Sequence, residues 1–289
     1  MHTNDFSSDN LPRLKFEDIG DIHLTYLDYE SPGPPLVFLH ATGFLPWLWH
    51  PVARRLTSAF HSIAPYFCDH RDSNPQTGAM HWSTLAEDLK ALCDRLGIES
   101  GFFVGHSMGA TVLTIAAALL GLEPKAMVLI EPIYLPGDYY TRSITVDEHL
   151  LASKALRRRN DWGDGNEARQ YLKSRDLFKY WDDEAFDLYI QYGLIEQDNG
   201  RLQLACSPQR EASLFMGGVH DDPWPLLTRI QCPVLVVEGE TSDNKRMIDL
   251  KKASDLIPKG SYRLIEKAGH LIPMENPQAI IRIINDFFR

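Results

Sequence analysis

One stretch restricts this 289-residue chain more than any other: the apolar run Phe102-Phe103-Val104 breaks at Gly105-His106-Ser107-Met108-Gly109 and continues at once as Ala110-Thr111-Val112-Leu113-Thr114-Ile115-Ala116-Ala117-Ala118-Leu119-Leu120. A strand that turns directly into a helix, with glycine two residues before and after a serine, forces that serine into a strained backbone conformation and pushes its hydroxyl outward. Gly121 supplies a stop for the helix. The bland alternative is a glycine-rich corner whose serine only caps the helix. Which of the two applies depends on what the rest of the chain brings to the same place.

Strand and helix alternate around this corner. Leu14–Ile19 and Ile22–Tyr29 predict an antiparallel hairpin about Gly20-Asp21 at a sheet edge, the second segment alternating apolar and polar residues. Leu36–Leu39 is apolar throughout, as in a strand covered on both faces, and Phe60–Pro65 and Ala126–Glu131 predict further strands. Helices are expected at Trp47–Thr57 and Thr84–Leu96. From Pro132 to about Pro225 strand patterns fade, and helical periodicity appears over Val146–Arg158, Asn166–Lys173 and Asp183–Tyr192. The alternation returns with Val234–Glu238, a helix around Lys245–Asp255, Ser261–Ile265 and a helix over Pro277–Phe288. This predicts an α/β three-layer sandwich with a core of residues 1–132 and 226–289, and a helical cap inserted at 133–225.

Composition narrows the partners. With 44% hydrophobic and 24% charged residues the chain can bury a large core, and a formal net charge of −10 argues against nucleic acid or an anionic membrane. The basic triplet Arg157-Arg158-Arg159 reads as a solvated helix face. The four cysteines have neither zinc spacing nor the density of a disulfide framework, the first dozen residues are polar with no apolar signal core, and no uninterrupted apolar stretch approaches the length of a membrane span. The expectation is a cytoplasmic protein with no cofactor and no metal, acting on a small molecule. None of these patterns bears on oligomeric state.

A serine hydroxyl needs a base to take its proton and a carboxylate to orient that base. His270, in the turn-rich loop Glu266–Pro277 between the last strand and last helix, opens at the carboxyl end of the sheet where Ser107 lies and is the candidate base. For the acid, Asp243 in Gly239-Glu240-Thr241-Ser242-Asp243 is preferred, with Glu240 and Glu131 as alternatives; Glu131 ends its strand, where a carboxylate also serves structure by binding loop amides. An oxyanion requires two donors, expected from the backbone N–H groups of Met108 and Thr42, the latter in His40-Ala41-Thr42-Gly43-Phe44. His40 reads as a buried brace of that loop. Phe44, Trp47 and Trp49, with cap aromatics Tyr139, Tyr140 and Trp181, are candidates for walling a substrate pocket and equally for ordinary packing.

Four motifs in this order resemble the α/β-hydrolase superfamily: the strand into His40–Phe44, with Ala41 where relatives carry glycine; Gly105–Gly109; Gly239–Asp243; and Ala268-Gly269-His270 with Glu275-Asn276-Pro277. The resemblance spans the chain outside the cap. It implies a mostly parallel eight-stranded sheet, with the cap inserted after the sixth strand and shaping the pocket. It also implies a serine hydrolase cleaving a carboxylic ester or related acyl bond through an acyl-enzyme. Other expectations it allows are carbon–carbon bond hydrolysis of a diketone-like acid, or ligand binding without turnover. One loop departs from the pattern: Tyr66-Phe67-Cys68-Asp69-His70-Arg71-Asp72-Ser73 lacks the glycine many relatives have, and its Asp69, His70 and Asp72 read as a salt-bridged surface turn rather than a metal site.

Overall fold

A computed structural model describes residues 11–68 and 70–289. Eight strands form one sheet in the order β1-β2-β4-β3-β5-β6-β9-β10. They are β1 (Arg13–Asp18), β2 (His23–Asp28), β3 (Pro35–Leu39), β4 (His61–Pro65), β5 (Phe102–His106), β6 (Ala126–Ile130), β9 (Val234–Gly239) and β10 (Gly260–Ile265). β1 pairs antiparallel with β2 and β2 with β4; every other pair is parallel. The expected edge hairpin and mostly parallel eight-stranded sheet are both present.

The uninterrupted apolar strands follow from cover on both faces. Val37, Leu39, Phe103, Met127, Leu129, Val234 and Val236 join one core cluster, packed with the helices Trp82–Arg95 and Met108–Leu119. Their neighbours Leu36, Phe38, Val104, Val128, Ile130, Leu235 and Val237 join the other, packed with the helix Pro277–Phe287. Each such buried side chain contributes about 1.5–3 kcal/mol. The chain leaves β3 toward β4 on one side and returns to β5 on the other, so the strand order switches direction at β3. In open α/β sheets the crevice beyond the strand ends at such a point is where ligands bind, and the loops carrying Thr42 and Ser107 both leave from it.

Residues between β6 and β9 hold the helices Leu150–Leu156, Gly165–Lys173, Asp183–Tyr192 and Pro208–Gly217, and also a hairpin, β7 (Leu194–Glu196) with β8 (Leu202–Leu204). Three-residue strands are too short to show alternation, which is why the sequence pattern misses them. Trp47–Thr57, expected as one helix, is a 3-10 turn at Pro46–Trp49 followed by a single α turn at His50–Ala53, since Pro51 lacks the N–H a longer helix would use. The Lys245–Asp255 region likewise divides into a 3-10 turn at Asp243–Arg246 and the helix Leu250–Leu256.

Two charged groups differ from expectation. Arg158 is no solvated residue: its side chain is 21% exposed, pairing with Glu211 at 2.5 Å and donating to the Tyr189 hydroxyl at 3.3 Å. The His70 side chain turns inward, 3% exposed with Nε2 2.8 Å from Asp88, and Arg71 joins Asp88 to the exposed Asp21; Asp72 is fully exposed and 3.5 Å from Arg210, so the turn is salt-bridged at the surface as expected but anchored within by His70. Asp69 lies outside the described residues. Among the described residues no cluster of histidine, cysteine and carboxylate side chains is arranged to hold a metal, and no helix is long and apolar enough to cross a membrane.

Candidate active site

Ser107 follows β5 directly and has φ 55° and ψ −117°, with the helix beginning at Met108. Its N–H donates to Ile130 O at 2.9 Å, and its own carbonyl receives the N–H groups of Ala110 and Thr111. The corner is thus fixed by the neighbouring strand and by the helix together. At this corner a Cβ on Gly109 would fall 2.5 Å from Leu39 O. Because the obstacle is backbone, it cannot move aside. Gly109→Ala is expected to lose about 1–3 kcal/mol of stability, readable as a lower urea midpoint, while a substitution at the exposed, open Gly137 leaves it unchanged.

Met108 occupies the first helical position, where the N–H has no partner within the helix. Thr42 is buried in the loop after β3, beside Gly43, which has φ +77°. A Cβ at Gly43 would lie 2.5 Å from Glu211 Oε1, so the inserted segment closes directly on this loop. His40 braces the loop from beneath, with Nδ1 2.9 Å from Ala41 O and Nε2 accepting the Phe67 N–H at 2.9 Å. These contacts require the neutral ring with its hydrogen on Nδ1, since a second hydrogen would oppose the Phe67 N–H.

Burial holds the His40 pKa down at about 4. An unfolded histidine titrates near 6.5, so the unfolded chain gains protons first as pH falls. The contribution of His40 to stability is therefore complete above about pH 6.5 and is lost as pH drops toward 4. Between pH 7 and 4.5 this linkage amounts to about 2 kcal/mol. Urea unfolding should show a fall in stability over that range, and His40→Asn should make the fall smaller by that amount.

Asp243, the preferred acid, is not the carboxylate that lies beside His270. Asp243 is 90% exposed and lies 3.5 Å from Arg246. Glu240 accepts the Lys267 N–H at 2.9 Å on the surface. The carboxylate beside His270 is Glu131, whose Oε2 is 3.0 Å from Nδ1. Glu131 is 1% exposed and has φ 50°, the left-handed region a glutamate rarely occupies. That backbone turn points the end of β6 toward the crevice. Its Oε1 accepts the Gly239 N–H at 2.7 Å and its Oε2 the Ser242 hydroxyl at 2.7 Å, so three donors from two elements fix the carboxylate. The sequence could weigh Glu131 only as a strand-end residue, because a positive φ leaves no compositional trace in a glutamate.

Two further residues at this site had no sequence signal. His106, next to the serine, is buried and kept neutral by that burial, which drives its pKa well below the ordinary histidine value. Its Nε2 lies 2.9 Å from His270 O and, with the hydrogen on that nitrogen, donates to it, tying the serine corner to the histidine loop. Asn244 reaches His270 Nδ1 with its side-chain amide at 2.9 Å.

Of the aromatic candidates, Phe44 packs edge-on against Trp181 and Tyr189, with ring centroids 5.4 and 6.0 Å apart. Phe44 and Trp49 line a cavity with His40, Ala41, His106 and Met274. Trp47 does not line it; its ring stacks on Tyr192 at 3.6 Å. Tyr140 accepts the Leu135 N–H at 2.9 Å and Tyr139 contacts Met247, so these two pack away from that cavity.

Known proteins share this arrangement of the chain. A 2-(acetamidomethylene)succinate hydrolase of Mesorhizobium japonicum is 27% identical over 271 residues, covering 93% of each chain. Carboxylesterase YbfK of Bacillus subtilis is 22% identical over 259 residues, 88% of this chain and 80% of that one. The crystal structure of E-2-(acetamidomethylene)succinate hydrolase superposes with a TM-score of 0.81 at 22% identity, covering 96% of this chain and 99% of the other. A model of the alpha/beta hydrolase family matches residues 36–283, and with most of the sequence inside that match this chain belongs to the alpha/beta hydrolase family.

Proposed function

We propose that this protein is a serine hydrolase that cleaves an ester or a related acyl bond of a small molecule through an acyl-enzyme. The observation that carries the reading is the contact of His270 Nδ1 with the buried Glu131 carboxylate at 3.0 Å, in a chain whose Ser107 occupies a strained corner at the same sheet edge. With Nδ1–H donated to Glu131, Nε2 is the acceptor and takes the Ser107 proton as the hydroxyl oxygen attacks the carbonyl carbon. The N–H groups of Met108 and Thr42 receive the resulting oxyanion. When the intermediate collapses, Nε2–H passes its proton to the leaving group. Water then repeats the sequence on the acyl-enzyme and restores Ser107.

The inserted segment acts as the cap in this reading. Trp181 and Tyr189 meet Phe44 and Glu211 meets Gly43, so the acyl group would sit between those side chains and the strand ends. Relatives named for 2-(acetamidomethylene)succinate, which carries an acetamide group, and for carboxylic esters support an acyl bond in a small substrate. A fluorophosphonate probe tests the assignment directly. The adduct is expected on Ser107 by peptide mapping and absent in Ser107→Ala; a folded protein unlabelled at Ser107 would overturn it. Comparing p-nitrophenyl esters of increasing acyl length with a matched anilide and a diketone acid then identifies the bond cleaved.

A further inference from the structure

Two side chains converge on one ring nitrogen. His270 Nδ1 lies 3.0 Å from Glu131 Oε2 and 2.9 Å from Asn244 Nδ2. An ionised carboxylate only accepts, so the contact with Glu131 requires the hydrogen on Nδ1. An N–H of Asn244 directed at that same hydrogen would be repulsive. The two ends of an asparagine amide are distinguished only by the network around them, and this network selects the amide turned over, with Oδ1 in the place of Nδ2 beside the ring.

We propose that Asn244 is a second positioning residue for His270, its side-chain oxygen sharing the Nδ1 hydrogen with Glu131, and that an aspartate at this position would take over from the Glu131 carboxylate. The inference rests on the reading of His270 as the base oriented by Glu131. The backbone favours it: the Asn244 carbonyl receives the N–H groups of Met247 and Ile248 at 2.9 and 2.8 Å, which holds the residue in place. Alternation along the turn does the rest. Ser242 points inward to Glu131, Asp243 outward to solvent and Asn244 inward to the ring. Aspartate has the shape of asparagine, so Asn244→Asp puts a carboxylate oxygen where an amide atom already fits.

The test uses the full chain, with fluorophosphonate labelling of Ser107 and p-nitrophenyl acetate hydrolysis as readouts and thermal unfolding as the control for folding. Glu131→Gln should slow both by about 10⁴-fold. The double variant Glu131→Gln/Asn244→Asp is expected to recover roughly 100-fold of that loss, a rescue that a merely structural role for Asn244 cannot give. A folded double variant no faster than Glu131→Gln overturns the inference and leaves the role of Glu131 intact. Wild-type rates in Glu131→Gln instead overturn the assignment of Glu131, and the inference with it. Asn244→Ala, which introduces no charge, covers the case of a double variant that does not fold: a loss of about tenfold in kcat at unchanged KM supports the shared hydrogen, and an unchanged kcat overturns it.

Discussion

Ser107→Ala is expected to lower kcat by about 10⁶-fold with thermal stability essentially retained. On the proposed mechanism the loss is large because Glu131 and His270 address one another through Nδ1, leaving Nε2 with nothing to deprotonate once the hydroxyl is gone. The second half of the prediction concerns the backbone. A residue with a side chain at φ 55° and ψ −117° is strained by about 1–3 kcal/mol, and alanine keeps that strain. Glycine relieves it while costing roughly 0.5–1 kcal/mol in chain entropy. Ser107→Gly should therefore be as inactive as the alanine variant but melt about 2 °C higher. Differential scanning calorimetry on the three proteins measures this, and a glycine variant melting below the alanine one would show that the corner stores no strain.

Glu131→Gln and Asp243→Asn are expected to differ by more than a thousandfold in kcat/KM on p-nitrophenyl acetate. Glutamine keeps the shape of residue 131 but can offer an amide N–H where His270 Nδ1 needs an acceptor. The ring then favours the tautomer with its hydrogen on Nε2, which cannot accept from Ser107, at a cost of about 10⁴-fold. The Gly239 N–H and the Ser242 hydroxyl also face the altered group, so some stability is lost with the activity. Asp243→Asn removes only a solvent-screened pairing with Arg246, and its rate should stay within about threefold of wild type. Steady-state kinetics of the pair settles which carboxylate serves: a collapse in Asp243→Asn would mean that the turn after β9 rearranges on substrate binding.

The contrast between these two carboxylates explains how far the sequence could be read. Apolar strand patterns place the loops of Thr42, Ser107, Glu131, Ser242 and His270 at one sheet edge, because burial on both faces leaves an uninterrupted signature. The glycines around Ser107 are legible for a similar reason, since close backbone approach excludes any side chain. Glu131 was legible only as one of three candidate carboxylates, ranked behind Asp243, and Asn244 was not legible as a partner of His270 at all. Their selection depends on the φ of one residue and on the inward or outward phase of a four-residue turn, and neither alters composition or periodicity. Arg158 was misread in the same way: its burial comes from Glu211 and Tyr189, dozens of residues away.

The hydrogen bonds from Ser107 N–H to Ile130 and from Glu131 N–H to Val237 extend two adjacent central ladders, β5 with β6 and β6 with β9, by one residue each, whereas His270 arrives on a loop. Amide hydrogens at 107 and 131 therefore exchange with solvent only when the middle of the sheet opens, near the free energy of global unfolding. Those of the 266–271 loop exchange through smaller, local openings. With His270 as the proposed base, mild heating or denaturant is accordingly expected to release its loop first, leaving a state still folded and still strained at Ser107 but inactive.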